Sequence, residues 1–389
     1  MAGATDQALA MQPTKAQSVS APSVSPHATA APSLTELPYP DALKSDIDFW
    51  RQIYGRVDSR GGLLHDDRHL NVVYLQVSFT SSDHNERVAQ VERERQKIQA
   101  DLRDLALHPS EPANFDQRRL LDLWGGHLSA AECLAAAEQV RFQLGQADRT
   151  RAGLARALLW QPYLEQALAA QGVPKALWVL PLVESSFAAT AVSKAGAAGV
   201  WQLMPAVALR QLRMDRLVDE RFDPIQSANV AAKILANNHR VLGSWPLAIT
   251  AYNHGLSGTL RGTQTLNTSD IVSLVREYRG NGFGLASRNF YVAYCAVLDI
   301  ATHADAYFGH MEAADKPTLT SVRLARALTM AEVVTILQRD AAELKAWNPA
   351  LKAPLWGNAV PIPAGVTLWV PGALSSEIRE RLAAPVRPQ

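Results

Sequence analysis

One acid stands inside an apolar run, Leu180-Pro181-Leu182-Val183-Glu184-Ser185-Ser186-Phe187. A segment of this make-up belongs in a core, and it takes the carboxyl of Glu184 with it. A carboxylate there is costly unless it is paired or used. Burial also raises its pKa toward the range that suits a general acid near neutral pH. Pro174 is acceptable in a first helical turn, whereas Pro181 removes a backbone donor and is expected to kink the run. Glu184 then falls in the last turn of a helix, where the negative end of the helix dipole adds to burial.

The chain has 389 residues, 48% of them hydrophobic, room for two or three domains and a substantial core. A net charge of +1 gives no electrostatic case for nucleic acid or an anionic membrane. No apolar stretch is long and uncharged enough to span a bilayer. The start shows neither a signal-peptide pattern nor a cysteine for a lipid anchor. Cys133 and Cys295 sit in apolar helical contexts and are expected as buried free thiols, with a disulfide as the alternative in an oxidising compartment. His65 and His69 flank Asp66-Asp67-Arg68. Zinc would need a helix and further ligands there, so a solvated turn is expected. Neither a metal nor a cofactor is expected.

Residues 1–38, rich in Ala, Ser, Pro, Thr and Gln, are expected to form a disordered tether. Residues 39–127 read as an accessory, mostly helical region. It has a helix over 41–54, a short strand near 72–79 and a charged helix with Val88, Val91, Ile98, Leu102 and Leu105 on one stripe. The next domain, 128–312, opens on the capping box Ser129-Ala130-Ala131-Glu132, with a helix expected to run toward Leu144. Asp223-Pro224 opens another helix, with His239 as a core or groove-edge side chain. Ser244-Trp245-Pro246 opens a third, whose end carries Tyr252 and Asn253. A Gly- and Thr-rich stretch, 255–284, is expected as a mobile rim before a helix over 289–306. Residues 316–372 read as a small β-α-α-β unit, and 373–389 as a tail. The fold class is mainly α.

Two further motifs follow the Glu184 run. One is Ser193-Lys194-Ala195-Gly196-Ala197-Ala198-Gly199-Val200-Trp201-Gln202-Leu203-Met204-Pro205, the other Ala251-Tyr252-Asn253-His254-Gly255. In this order and at these separations, the three resemble the catalytic domain of the lytic transglycosylases that cut bacterial peptidoglycan, nearest to their transglycosylase D branch. The likeness spans roughly residues 135–310. It implies a lysozyme-like fold and cleavage of the β-1,4 bond between N-acetylmuramic acid and N-acetylglucosamine, without water, to leave 1,6-anhydro ends. Glu184 would act as general acid and then base. Ser193, Gln202, Tyr252 and Asn253 would bind and orient the sugars. The implied partner is the peptidoglycan strand, and the implied place the periplasm or cell envelope, with outer-membrane or wall association left open. Trp347-Asn348-Pro349 and the strand entry Pro363-Ala364-Gly365-Val366 give the C-terminal part a likeness to a degenerate LysM domain, a glycan-binding module. The insertion between Pro349 and Pro363 departs from that pattern, so a glycan binder and a structural cap both stay open.

Most glycosidases use two carboxyl groups, and here one candidate stands out. Asp215, Asp219, Glu220 and Asp223 fall in a polar, Arg-rich stretch that reads as surface. A single carboxylate suits a reaction with substrate assistance. Gln202 offers a donor and an acceptor, Tyr252 a ring face and a hydroxyl, and Asn253 an orienting amide. Gly196 and Gly199 let the chain turn closely. Structural roles compete: a cap for Ser193, core packing for Trp201 and Met204, a helix-end hydrogen bond for Asn253, a paired buried acid for Glu184. The functional alternatives are a hydrolytic muramidase on the same fold and a non-catalytic wall-binding scaffold.

Overall fold

The structure, a computed structural model, describes residues 37–109, 111–311 and 318–383. The expected tether therefore lies almost wholly outside the described residues, as does the end of the expected tail. The described chain is mainly α with two small antiparallel sheets. It forms two compact units. Within the described residues, the first comprises 37–154 and 237–311, the second 155–236 and 318–383.

The first unit begins with α1 (Lys44–Gly55), as expected. It continues with strands β1 (Gly61–Asp66) and β2 (Val73–Ser78) and helices α2 (His84–Leu105), α3 (Phe115–Leu123) and α4 (Ala130–Glu138). Side chains of Asp83, Asn114 and Ser129 cap the three helices, Ser129 through a full capping box with Glu132. Strand β3 (Val140–Leu144) pairs with β1, so the sheet order is β2-β1-β3. Two expectations fail here. The helix opened by Ser129 stops at Glu138, because the β-branched and aromatic positions of Val140-Arg141-Phe142 serve the ladder instead. The region around His65 is a buried strand and not a solvated turn. Glycines 61 and 62 hid it from a search for β-formers, yet the sheet needs them: a Cβ on Gly61 would meet the Val77 carbonyl oxygen at 2.2 Å. His65 is fully buried, and burial pushes its pKa down to about 4, so it packs as a neutral ring. The α2 stripe Ile98, Leu102 and Leu105 joins Leu64, Tyr74 and Cys133 in one core. Cys133 and Cys295 are both free and buried.

Helix α5 (Ala147–Ala169) starts in this unit and ends in the second; α8 (Pro224–Leu242) starts in the second and ends in the first. In the second unit lie α6 (Leu180–Ser185) and α7 (Pro205–Ala208). The first unit resumes with α9 (Trp245–His254), α10 (Leu256–Leu266), α11 (Ile271–Glu277), α12 (Leu285–Arg288), α13 (Phe290–Thr302) and α14 (Ala304–Phe308). The Gly- and Thr-rich stretch, expected as a mobile rim, is largely helical. Its small residues serve packing: Gly262 of α10 lies against Leu274 and Tyr278. Ion pairs Arg51–Asp299 and Arg276–Asp46 tie α1 to the later helices.

The C-terminal part of the second unit runs β4 (Leu319–Arg323), α15 (Met330–Leu337), α16 (Ala341–Trp347), α17 (Ala353–Trp356), β5 (Thr367–Pro371) and α18 (Ser376–Ala383). β4 and β5 pair antiparallel, in the expected β-α-α-β order. The insertion contributes α17. The start of the expected tail forms α18, whose Leu382 is fully buried in the local core. That core also takes in Val218. Among the described residues, no helix is long and apolar enough to cross a membrane.

Candidate active site

Glu184 is the penultimate residue of α6. Pro181 lies in the first turn of this helix and does not kink it. A 3-10 turn, Lys175–Val179, hands over to α6 at Leu180, so Pro181 falls in the first turn, where no intrahelical donor is lost. The helix ends abruptly, with Ser186 (φ 49°) and Phe187 (φ 54°) both left-handed. Their amides donate back to Leu182 and Pro181 at 3.1 and 3.0 Å. Two such residues cost about 1 kcal/mol or more each, and the surroundings hold them. Arg156 donates to the Ser186 and Phe187 carbonyls at 2.8 and 3.1 Å, and the Phe187 ring is buried. Ser185 Oγ donates to Val200 O at 3.0 Å, which ties the helix end to the following loop.

The carboxyl of Glu184 is buried and makes no hydrogen bond or ion pair among the described residues. Burial alone pushes its pKa up to about 8. At neutral pH it is mostly protonated and therefore a proton donor. The alternative of a paired structural glutamate finds no partner here.

The loop after α6 carries Ser193 and Gln202, both buried. Ser193 Oγ accepts from the Ala197 amide at 3.0 Å and closes a tight turn, while its own proton stays available to donate. Gln202 Nε2 donates to Gly199 O at 2.8 Å, which leaves the amide oxygen for a ligand. Trp201 is wholly buried, as core packing requires, and Met204 precedes α7 as its N-cap.

The stretch 215–223 corrects the sequence reading. Asp219, Arg221 and Asp223 are 4%, 8% and 4% exposed, not surface residues. Each acid is nonetheless occupied. Arg221 holds Asp219 through Nε and Nη2, at 3.0 and 2.8 Å. Asp223 caps α8, accepting from the Ile225 and Gln226 amides at 2.8 and 3.0 Å, and accepts from Trp369 Nε1 at 2.7 Å. Burial still pushes Asp223 up to about 6, against those donors. Glu220 and Asp215 accept from the backbone amide and the side chain of Arg213, respectively. Glu184 is left as the free acid of this segment.

Tyr252 and Asn253 belong to the first unit, in the last turn of α9, and are buried. Gly255, at φ +88°, ends that helix. Asn253 Oδ1 accepts from Ser287 Oγ at 2.9 Å. The next residue, Arg288, is buried and paired with Asp67, which also accepts from Arg141 of β3 at 2.8 Å. His239 is half-buried and stacks on Trp245 at 4.0 Å, a packing role. Sequence reasoning missed Arg156, Arg221, Ser287 and Arg288. The alternation Asp219-x-Arg221-x-Asp223 beside apolar Val218 was a usable signal for Arg221. The other three are defined by contacts distant in sequence.

No group of three or more metal-ligating side chains occurs among the described residues. Residues 162–271, which include all five candidates, match the transglycosylase SLT domain family. The chain is 26% identical over 217 residues to membrane-bound lytic murein transglycosylase D of Escherichia coli K12, covering 55% of this chain and 46% of that protein. The protein of the same name from Escherichia coli O6:H1 CFT073 matches equally. A putative tributyltin chloride resistance protein of Alteromonas sp. M-1 is 36% identical over 109 residues, 28% of this chain and 53% of that one. The chain spans about half the length of the curated relatives it matches. The likeness to the transglycosylase SLT domain family is thus carried by residues 162–271 of this chain.

Proposed function

We propose that this protein is a peptidoglycan lytic transglycosylase of the bacterial cell envelope, with a lysozyme-like catalytic domain and Glu184 as its acid and base. One observation carries the reading: the Glu184 carboxyl is buried without a partner, while the acids of the 215–223 turn are all engaged. The match of residues 162–271 to the SLT domain family supports the substrate class.

Protonated Glu184 gives its proton to the oxygen linking N-acetylmuramic acid to N-acetylglucosamine, and the C1–O bond breaks. The 2-acetamido group of the muramic residue stabilises C1 meanwhile. The carboxylate then takes the proton of the C6 hydroxyl, and that oxygen bonds to C1. The 1,6-anhydro ring closes, the glutamic acid is restored and no water is consumed. A neighbouring hydroxyl held on the same sugar has a high effective concentration, which favours it over water that no second carboxylate aims. The Gln202 amide oxygen and the Ser193 hydroxyl offer hydrogen bonds to the sugar on the Glu184 side. Tyr252 and Asn253 supply a ring face and an amide.

Mass spectrometry of digested sacculi tests the reading. Anhydromuramic ends, one water lighter than reducing ends, are expected. Reducing ends from a hydrolase-free preparation would make the protein a muramidase, and no release at all would make it a scaffold.

A further inference from the structure

We propose that the C-terminal segment, residues 318–383, positions the Ser193–Leu203 loop for the reaction, with Trp369, Asp223 and Arg221 as the positioning residues. The inference rests on the transglycosylase reading above and deepens it.

Two tethers join this segment to the turn before α8. At the first, Val218 is buried in the C-terminal core and forms a bridge with Leu351. The Asp219 amide donates to Ala350 O at 2.9 Å, and the Lys352 amide to Leu217 O at 2.9 Å. At the second, Trp369 Nε1 donates to Asp223 Oδ2 at 2.7 Å. Trp369 is itself fixed. Its amide donates to Asn348 Oδ1, and Asn348 Nδ2 donates back to its carbonyl, both at 2.8 Å.

Between the tethers stands Arg221. One side of its guanidinium grips Asp219. The other, Nη1, donates to Gly196 O at 2.7 Å and Leu203 O at 3.3 Å. Those carbonyls flank the turn that carries Gln202, and Gly196 closes the turn of Ser193. Every donor face of this buried cation is aimed, so its position sets that of the loop. A module serving only to retain glycan would need none of these contacts with the 215–223 turn.

The test uses the full chain and the variant Trp369→Phe, which keeps a ring and deletes the N–H. Its kcat for fragment release should fall about 10-fold, since small misplacements are costly near an acid–base centre. KM and co-sedimentation with sacculi should not change. Hydrogen exchange at the amides of Ala198, Gln202 and Leu203 should quicken while that of α15 stays slow. Wild-type kcat together with wild-type exchange in the loop would overturn the proposal. So would lost sacculus binding at unchanged kcat, which would make the segment a glycan anchor. Should Trp369→Phe unfold, Asp223→Asn carries the same test from the other side. It leaves the C-terminal side chains intact but sets an amide donor against the indole. Faster loop exchange supports the coupling, and unchanged exchange refutes it. The exchange readout needs no activity, so a wild-type chain that releases no fragments overturns the transglycosylase reading without deciding the coupling.

Discussion

A side-chain carbon on Gly199 would lie 1.8 Å from the carbonyl oxygen of Arg221. The loop carrying Ser193 and Gln202 therefore rests backbone against backbone on the turn before α8, in a conformation (φ +77°) that other residues seldom adopt. No flexible side chain intervenes to absorb a displacement.

Gly199→Ala should accordingly destabilise the protein by about 2–4 kcal/mol, combining left-handed strain with a clash against backbone. Gly196→Ala is the control. It shares the positive φ, but its Cβ would meet nothing closer than Pro205 Cγ at 3.9 Å. It should cost only about 1 kcal/mol. Equal melting temperatures for the two variants would contradict the close contact.

Glu184→Gln should abolish lysis and yet stabilise the fold. The folded pKa of Glu184, about 8, lies above its ordinary value of 4.5. Its folded-state advantage is therefore complete below pH 4.5 and is lost as pH rises through 8. The glutamine variant carries no such dependence. Its melting temperature should match the wild type near pH 4 and exceed it by a growing margin toward pH 8, by a few kcal/mol in free energy. A constant difference across that range would show that the carboxyl is not desolvated.

Much of this arrangement was legible in the sequence, and the reasons for the rest are physical. Glu184 stood out because an acid within an apolar run has few fates, and the capping box at Ser129 marked a helix start through local chemistry. The surroundings of the acid did not show. Asp219, Arg221 and Asp223 look like surface residues until tertiary contacts pair and bury them, and composition cannot distinguish a solvated charge from a satisfied one. β1 was hidden because the glycines that let it pair closely are poor strand formers. Asn253 and Ser287 are far apart in the chain, so no local pattern joins them.

If Glu184 is the acid and base of the proposed reaction, the pH dependence of kcat/KM on a soluble glycan substrate should have an alkaline limb near 8, where its carboxyl loses the proton. No acidic limb near 4 is expected, because the carboxylate required in the second half of the reaction is made by the first. A bell-shaped profile with a limb near 4 would point to a second carboxylate acting as base.

Ser287→Ala tests the support of Asn253. The serine hydroxyl is the donor that fixes the Asn253 side-chain oxygen, and its loss leaves a buried amide to reorient. If Asn253 orients the sugar during bond breaking, kcat should fall roughly 10-fold with KM little changed, since the missing ordering acts on the reacting geometry. Ser287→Thr keeps the hydroxyl and should recover most of the rate. Arg288→Met, one residue along, strips the buried partner from Asp67 and should instead act on the fold, costing about 3–5 kcal/mol. Rate loss with only about 1 kcal/mol of destabilisation in Ser287→Ala, set against the larger loss in Arg288→Met, would separate the orienting bond from the ion pair that anchors its helix. Equal loss of stability in both would reduce Asn253 to a helix-end packing residue.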